Sequence, residues 1–193
     1  MIFDISQELT KCNVYPNDPS PLINKIYDMD KGDLYNLSNI SMCAHNGTHL
    51  DAPAHFIKNG KTIDQIPLEY FVGDCLVVEA KGNLLANDAK KILNIAKSDE
   101  VIKRLLIKGD CVVTTTAAKV FSNSDLLLIG IESQSFGPTD SPMEVHKILL
   151  NKNIVLLEGL ILKNIEIGKY FLCAQPLNAY GIEGSPCRAI LIK

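Results

Sequence analysis

Four histidines occur in this chain of 193 residues, and three of them, His45, His49 and His55, fall close together. Asp51 stands between the second and the third, and the fourth histidine is His146. Imidazole and carboxylate are ligands for divalent transition metals, and imidazole is also the commonest general acid or base near neutral pH. Histidines used as filler do not crowd in this way. The stretch His45-Asn46-Gly47-Thr48-His49-Leu50-Asp51-Ala52-Pro53-Ala54-His55-Phe56 is therefore read as a reactive segment rather than a polar turn.

A second group lies about a hundred residues on. Ser141-Pro142-Met143-Glu144 predicts a helix start, with Ser141 as the cap, proline in the first turn and an acid three after the serine. On that helix Met143, His146, Leu149 and Leu150 share a face, which turns His146 towards the core. Residues 154–157 predict a buried strand that ends at Glu158. A carboxylate there is costly unless it is paired or holds a cation. Alone, His146 reads as a core histidine and Glu158 as a lysine's partner. With His45, His49 and Asp51 they make a set of nitrogen and oxygen ligands for one metal ion, or for two that share carboxylates. The set has no thiolate, which points to Zn2+, Mn2+ or Fe2+ in a catalytic site. Cys43, two before His45, reads as a small buried hydrophobe.

Gly47, Thr48 and Pro53 oppose a helix over the reactive segment, so it is read as extended. Positions 45, 49, 51 and 55 then project to one side, and Gly47 leaves a gap on that side. Pro53 ends the strand. Asn59-Gly60 next predicts a hairpin turn.

Length and pattern place these groups in a single α/β domain over residues 1–193. Strands are expected over 2–10, as a pair over 21–41, and over 75–80, 101–107 and 126–131. A helix is expected over 89–97 behind Asn87-Asp88, and a helix or strand over 114–121. A net charge of -3 and a pI near 5.8 exclude a nucleic-acid footprint, and arginine occurs only at 104 and 188. Six cysteines without a Cys-x-x-Cys pair, no secretory pattern and no apolar run of membrane length indicate a reduced cytoplasmic protein that meets no membrane. Tyr15, before the turn Pro16-Asn17-Asp18-Pro19, reads as packing or as a pocket wall.

The segment from His45 to Phe56 resembles the signature of the putative cyclase family of metal-dependent hydrolases, which includes bacterial kynurenine formamidases and isatin hydrolases. The likeness extends to Tyr15-Pro16-Asn17-Asp18-Pro19, to Gly130-Ile131-Glu132, to the spacing of His146 and Glu158, and to Gly184-Ser185-Pro186-Cys187-Arg188-Ala189. It implies a swivelling β/β/α fold, a mixed sheet with flanking helices. It also implies one or two divalent ions, Zn2+ first and Mn2+ second. His45, His49, Asp51 and Glu158 would hold one, and Asp51, His146 and Glu158 the other. Metal-activated hydroxide would attack an amide or arylformamide carbonyl of N-formylkynurenine kind, with His55 as general acid/base. A lactam or lactone hydrolase, a cyclase, or a metal-binding protein without catalysis are the alternatives. Tyr15 takes the place of a bulkier tryptophan in the kynurenine formamidases and is assigned to substrate binding. Asn17 stands for the usual glycine and Glu132 for the commoner aspartate. A small-molecule substrate and a homodimer or tetramer are expected by the same likeness.

Overall fold

The wholly apolar runs form the centre of the molecule because both of their faces are covered. This is a computed structural model that describes residues 1–97, 102–138 and 141–193. In chain order the strands are β1 (Ile2–Asp4), β2 (Leu22–Tyr27), β3 (Leu37–Ser41), β4 (His49–Asp51), β5 (Val72–Glu79), β6 (Gly82–Leu84) and β7 (Arg104–Lys108). They continue as β8 (Cys111–Val113), β9 (Leu128–Ile131), β10 (Val155–Glu158), β11 (Gly168–Cys173), β12 (Gly184–Pro186) and β13 (Ile190–Ile192). The helices are α1 (Ala86–Lys97), α2 (Thr115–Ser122) and α3 (Met143–Leu150).

Among the described residues, nine strands make one mixed sheet in the order β1-β13-β11-β5-β7-β9-β10-β4-β12. β5, β7, β9 and β10 run parallel, and antiparallel strands extend the sheet on both sides. Side chains alternate between two cores. Leu105, Ile107, Ile129 and Leu156 pack under Ala89, Phe121, Val145 and Leu149 of the helices. Leu106, Leu128, Val155 and Leu157 pack on the other side against Phe71, Leu160 and Leu162. Strands covered on both faces need no polar alternation, which is why their sequence reads as unbroken apolar runs. Each such side chain contributes about 1.5–3 kcal/mol by leaving water. The expected mixed sheet with flanking helices is what forms.

Several boundaries differ from the sequence expectations, each for a local reason. The first strand ends at Asp4, because Asp4 Oδ1 accepts from both the Ser6 amide and its hydroxyl and bends the chain. Asn59-Gly60 makes a tight turn in which the Gly60 amide donates to Ile57 O, and no hairpin forms around it. α1 starts at Ala86, so Asn87 and Asp88 lie in its first turn, where Asp88 accepts from the Leu85 amide. Residues 114–121 resolve as helix, capped by the Thr114 side chain on the Ala117 amide. In α3 the cap is Pro142, already helical at φ -68, and not Ser141. The buried face of α3 carries Val145, His146, Leu149 and Leu150, while Met143 at its first position is exposed. Val101, the start of one expected strand, lies outside the described residues, and β7 begins at Arg104. Asn17 adopts φ 75, the left-handed region that asparagine tolerates better than most residues.

Glu132 follows β9 and ties two neighbouring loops. Its carboxylate accepts from the Gly109 amide and from the Leu162 amide, each at 2.7 Å. Glu132→Ala leaves two backbone donors without this acceptor, and charged hydrogen bonds are worth about 1.5–3 kcal/mol each. The expected outcome is a urea midpoint lowered by the equivalent of about 2–3 kcal/mol with an unchanged slope.

Candidate metal centre

Strand register brings the two groups of the sequence together. β4 pairs antiparallel with β10, which sets His49 opposite Glu158. On its other edge β4 pairs with β12, which sets Gly184 opposite Asp51. Within β4, His49 and Asp51 share a face and Leu50 turns into the apolar core.

Residues 45–55 are not extended throughout, contrary to the sequence reading. His45 lies in a turn before β4, and Pro53–His55 is a single 3-10 turn. Both ends bend back, so His45 and His55 still reach the face of His49 and Asp51. The rings of His45 and His55 stack with centroids 4.1 Å apart. Gly47 is not a gap beside the ligands. It sits at φ 63, where a Cβ would come within 2.8 Å of Cys12, and its carbonyl accepts from His49 Nδ1–H at 2.9 Å.

A carbonyl can only accept, so that bond places the His49 proton on Nδ1 and turns Nε2 towards the carboxylates. His146 is set the same way, since its Nδ1–H donates to Pro142 O at 2.9 Å, one turn back in the chain. His49 Nε2 lies 3.1 Å from Glu158 Oε2, and His146 Nε2 lies 3.1 Å from Glu158 Oε1. The Phe136 amide also donates to Glu158 Oε1. Asp51 Oδ1 is 2.9 Å from His45 Nδ1 and 3.6 Å from His49 Nε2. Among the described residues Asp51 Oδ2 is buried without a hydrogen-bond partner, 3.5 Å from His146 Nε2 and 4.0 Å from His55 Nε2.

These distances make two overlapping groups whose ligand atoms all lie within 4.8 Å of one another: His45, His49 and Asp51, and Asp51, His146 and Glu158. Neutral imidazole lone pairs facing carboxylate oxygens repel unless a cation lies between them. The orphaned Asp51 oxygen meets the same need. The donor set therefore fits a divalent ion. The charge balance of the chain alone follows the same logic. Burial opposes protonation of His45, but the Asp51 and Glu183 carboxylates raise its pKa to about 9. Burial likewise opposes, and Glu158 and Asp51 outweigh it, at His49 and His146, whose pKa values rise. Burial would raise Asp51, but the imidazoles of His45, His49 and His55 hold it below the usual carboxylate range. His55 goes the other way, pushed down chiefly by burial.

His45, His49, His146 and Glu158 line a cavity of about 590 Å³ together with Tyr15, His55 and Phe56, and Asp51 is buried behind them. All five ligand residues read from the sequence thus meet, and His55 and Tyr15 face the same space.

The family model described as Putative cyclase matches residues 3–157. A kynurenine formamidase of Erythrobacter litoralis is 31% identical over 98% of this chain and 93% of its own. The chain belongs to the Putative cyclase family. A predicted metal-dependent hydrolase from Bacillus stearothermophilus superposes with a TM-score of 0.79 at 27% identity, over 99% of this chain and 97% of that one. Isatin hydrolase A from Labrenzia aggregata shares the fold, with a TM-score of 0.83 at 22% identity over 99% of this chain and 93% of that one.

Around these side chains are residues that the sequence reading did not assign to the site. Gln134 Nε2 donates to His45 O at 3.1 Å and to Gly47 O at 2.9 Å. Gln7 donates to Gln134 Oε1 and to Gly159 O, and Thr48 Oγ1–H donates to the same Gly159 carbonyl. This mesh holds the turn that carries His45 and the carbonyl that aims His49. Glu183 reaches His45 from the far side. Glutamine and glutamate in coil have no periodicity to betray them. Thr48 lies inside the His45–Phe56 segment, and Glu183 stands before the Gly184-Ser185-Pro186 landmark. Gln134→Ala should lower stability by about 1–2 kcal/mol and weaken divalent-ion retention about tenfold. Urea unfolding and competition against a chelator measure the two effects.

Proposed function

We propose that this protein hydrolyses the C–N bond of an arylformamide, or a closely related amide, at a centre of one or two divalent ions. The observation that carries this is the convergence of His45, His49, Asp51, His146 and Glu158 beside a cavity that His55 also lines, in a chain 31% identical to a kynurenine formamidase. His45, His49 and Asp51 are the ligands on one side, with Glu158 in reach through its contact to His49. Asp51, His146 and Glu158 are the ligands on the other, so Asp51 is common to both groups. Imidazole and carboxylate without thiolate favour Zn2+, then Mn2+. An ion bound there lowers the pKa of its water towards neutrality and polarises a carbonyl.

His55 has a different task. It belongs to neither ligand group, and its side chain faces the cavity. From there it takes a proton as the carbonyl carbon is attacked and returns it to the nitrogen as the C–N bond breaks. The stacked His45 ring and the edge of Phe56 hold the His55 ring in place. Tyr15 is the wall against which the aromatic part of a substrate rests. The same groups serve the opening of a lactam or lactone.

Two further features belong with this reading. The β2–β3 hairpin is exposed along its whole length and carries Leu22, Ile23, Ile26, Leu37 and Ile40 outside the main sheet. An apolar surface of that kind supports a homo-oligomer, a dimer or tetramer. The six cysteines are free thiols, which supports a cytoplasmic setting. Among the described residues no helix is long and apolar enough to cross a membrane.

Protein loaded with Zn2+ or Mn2+ is expected to hydrolyse an aryl formamide and to stop on chelation. Turnover that survives complete chelation contradicts the assignment. Isatin and small lactones assayed in parallel separate formamide from lactam or lactone specificity, and full metal loading with no turnover at all leaves only a metal-binding role. His55→Ala should lower kcat by about 10²–10⁴ at unchanged metal content, and an unaltered rate removes His55 from proton transfer. Light scattering should report a dimer or tetramer. Replacing the facing pair Ile23 and Ile40 by lysine should shift it towards monomer.

A further inference from the structure

The three imidazoles on the centre are oriented in two different ways. His49 and His146 each give Nδ1–H to a backbone carbonyl and present Nε2. Those protons are fixed, because a carbonyl has no proton to offer. His45 has a carboxylate at each ring nitrogen instead, Asp51 Oδ1 at 2.9 Å from Nδ1 and Glu183 Oε1 at 3.2 Å from Nε2. Its neutral ring has one proton and two acceptors to choose between. Glu183 belongs to neither ligand group.

We infer that Glu183 is a positioning residue for His45: it holds the proton on Nε2 and so turns the Nδ1 lone pair to Asp51 and the ion between them. The inference rests on the metal-centre reading above. The backbone supports it. The Ala52 amide donates to Glu183 O at 2.9 Å, so the residue after Asp51 anchors the main chain of Glu183. Gly184, next in the chain, lies under the ring, where a Cβ would come within 2.7 Å of His45 Cε1. The imidazole is thus seated on a glycine and gripped at its outer nitrogen by the carboxylate beside it. A carboxylate, a histidine and a metal in series fix the tautomer and make the ligand more basic, and losing the outer partner costs about 10- to 100-fold in metal affinity. Glu183 has a side chain 45% exposed, so replacing it does not disturb either core.

The test uses the full chain freed of metal, titrated with Zn2+ against a fluorescent chelator. Glu183→Ala is expected to weaken Zn2+ binding by about 10- to 100-fold, and Glu183→Gln by less, since it keeps a neutral acceptor. Thermal unfolding of the metal-free variants should remain one cooperative transition, since Glu183 belongs to neither apolar core. Nitrogen-15 correlation spectra of the Zn2+-loaded parent should show His45 protonated at Nε2. Equal Zn2+ affinities in the parent and both variants overturn the inference, as does a His45 proton on Nδ1. A change in substrate KM at unaltered Zn2+ affinity also overturns it, by assigning Glu183 to the substrate. A parent chain that binds no Zn2+ overturns the metal-centre reading itself, a result distinguishable from the others.

Discussion

The constraint on which the rest depends is the burial of Asp51. Its carboxylate is out of water, and among the described residues one of its oxygens has no hydrogen-bond partner. Isolating such a charge costs several kcal/mol unless a cation answers it. The chain answers with imidazoles on every side: His45 and His49 near one oxygen, His146 and His55 near the other. Glu158 adds a second buried carboxylate to the same space. Two carboxylates and four imidazoles this close repel in some protonation states and attract in others. Only a rigid frame keeps them together through both. That frame is the pair of apolar cores on the two faces of β9 and β10.

Aiming the imidazoles is a separate problem from gathering them. A histidine brought to the right place with its proton on the wrong nitrogen is not a ligand. For His49 and His146 the solution is local, a carbonyl two or four residues back in the chain. Such carbonyls come with the turn and the helix, so folding the segment also sets the tautomer. The Gln7–Gln134 mesh then keeps the Gly47 turn from relaxing.

These differences explain what could be read from the sequence. The candidate ligands were legible because histidine is scarce here and its crowding has no bland use. Glu158 was legible because an acid at the end of an apolar strand needs a reason. Period-two alternation places His49 and Asp51 correctly, since of the four positions they alone lie in a strand. It misplaced the backbone of His45 and His55, because Gly47 at positive φ and Pro53 at the start of a 3-10 turn break the alternation. Their side chains converge all the same, through bends that a period-two pattern does not describe. The facing of His49 and Glu158 depends on strand register across a hundred residues, and no local pattern encodes it. Gln134 acts through one amide in coil, where any polar residue looks alike. The order of the nine-stranded sheet was likewise out of reach, because it follows from which apolar faces fit.

The place of the site in the sheet follows from the direction of its strands. In a parallel sheet the carboxyl ends of neighbouring strands open onto one crevice, where ligands collect. β9 and β10 end there, and they deliver Glu132, Gln134, Phe136 and Glu158 within a few residues of their last pairs. A further parallel strand beside β10 would add residues to the crevice only at its own C-terminal end. β4 runs the other way. Its first residue, His49, meets the last residue of β10, so the turn before β4 carries His45 into the same crevice. Asp51, two residues deeper, lies below the surface layer, which accounts for its complete burial. One antiparallel strand inserted at the end of a parallel run thus explains both why these imidazoles and carboxylates gather and why the central carboxylate is hidden from water.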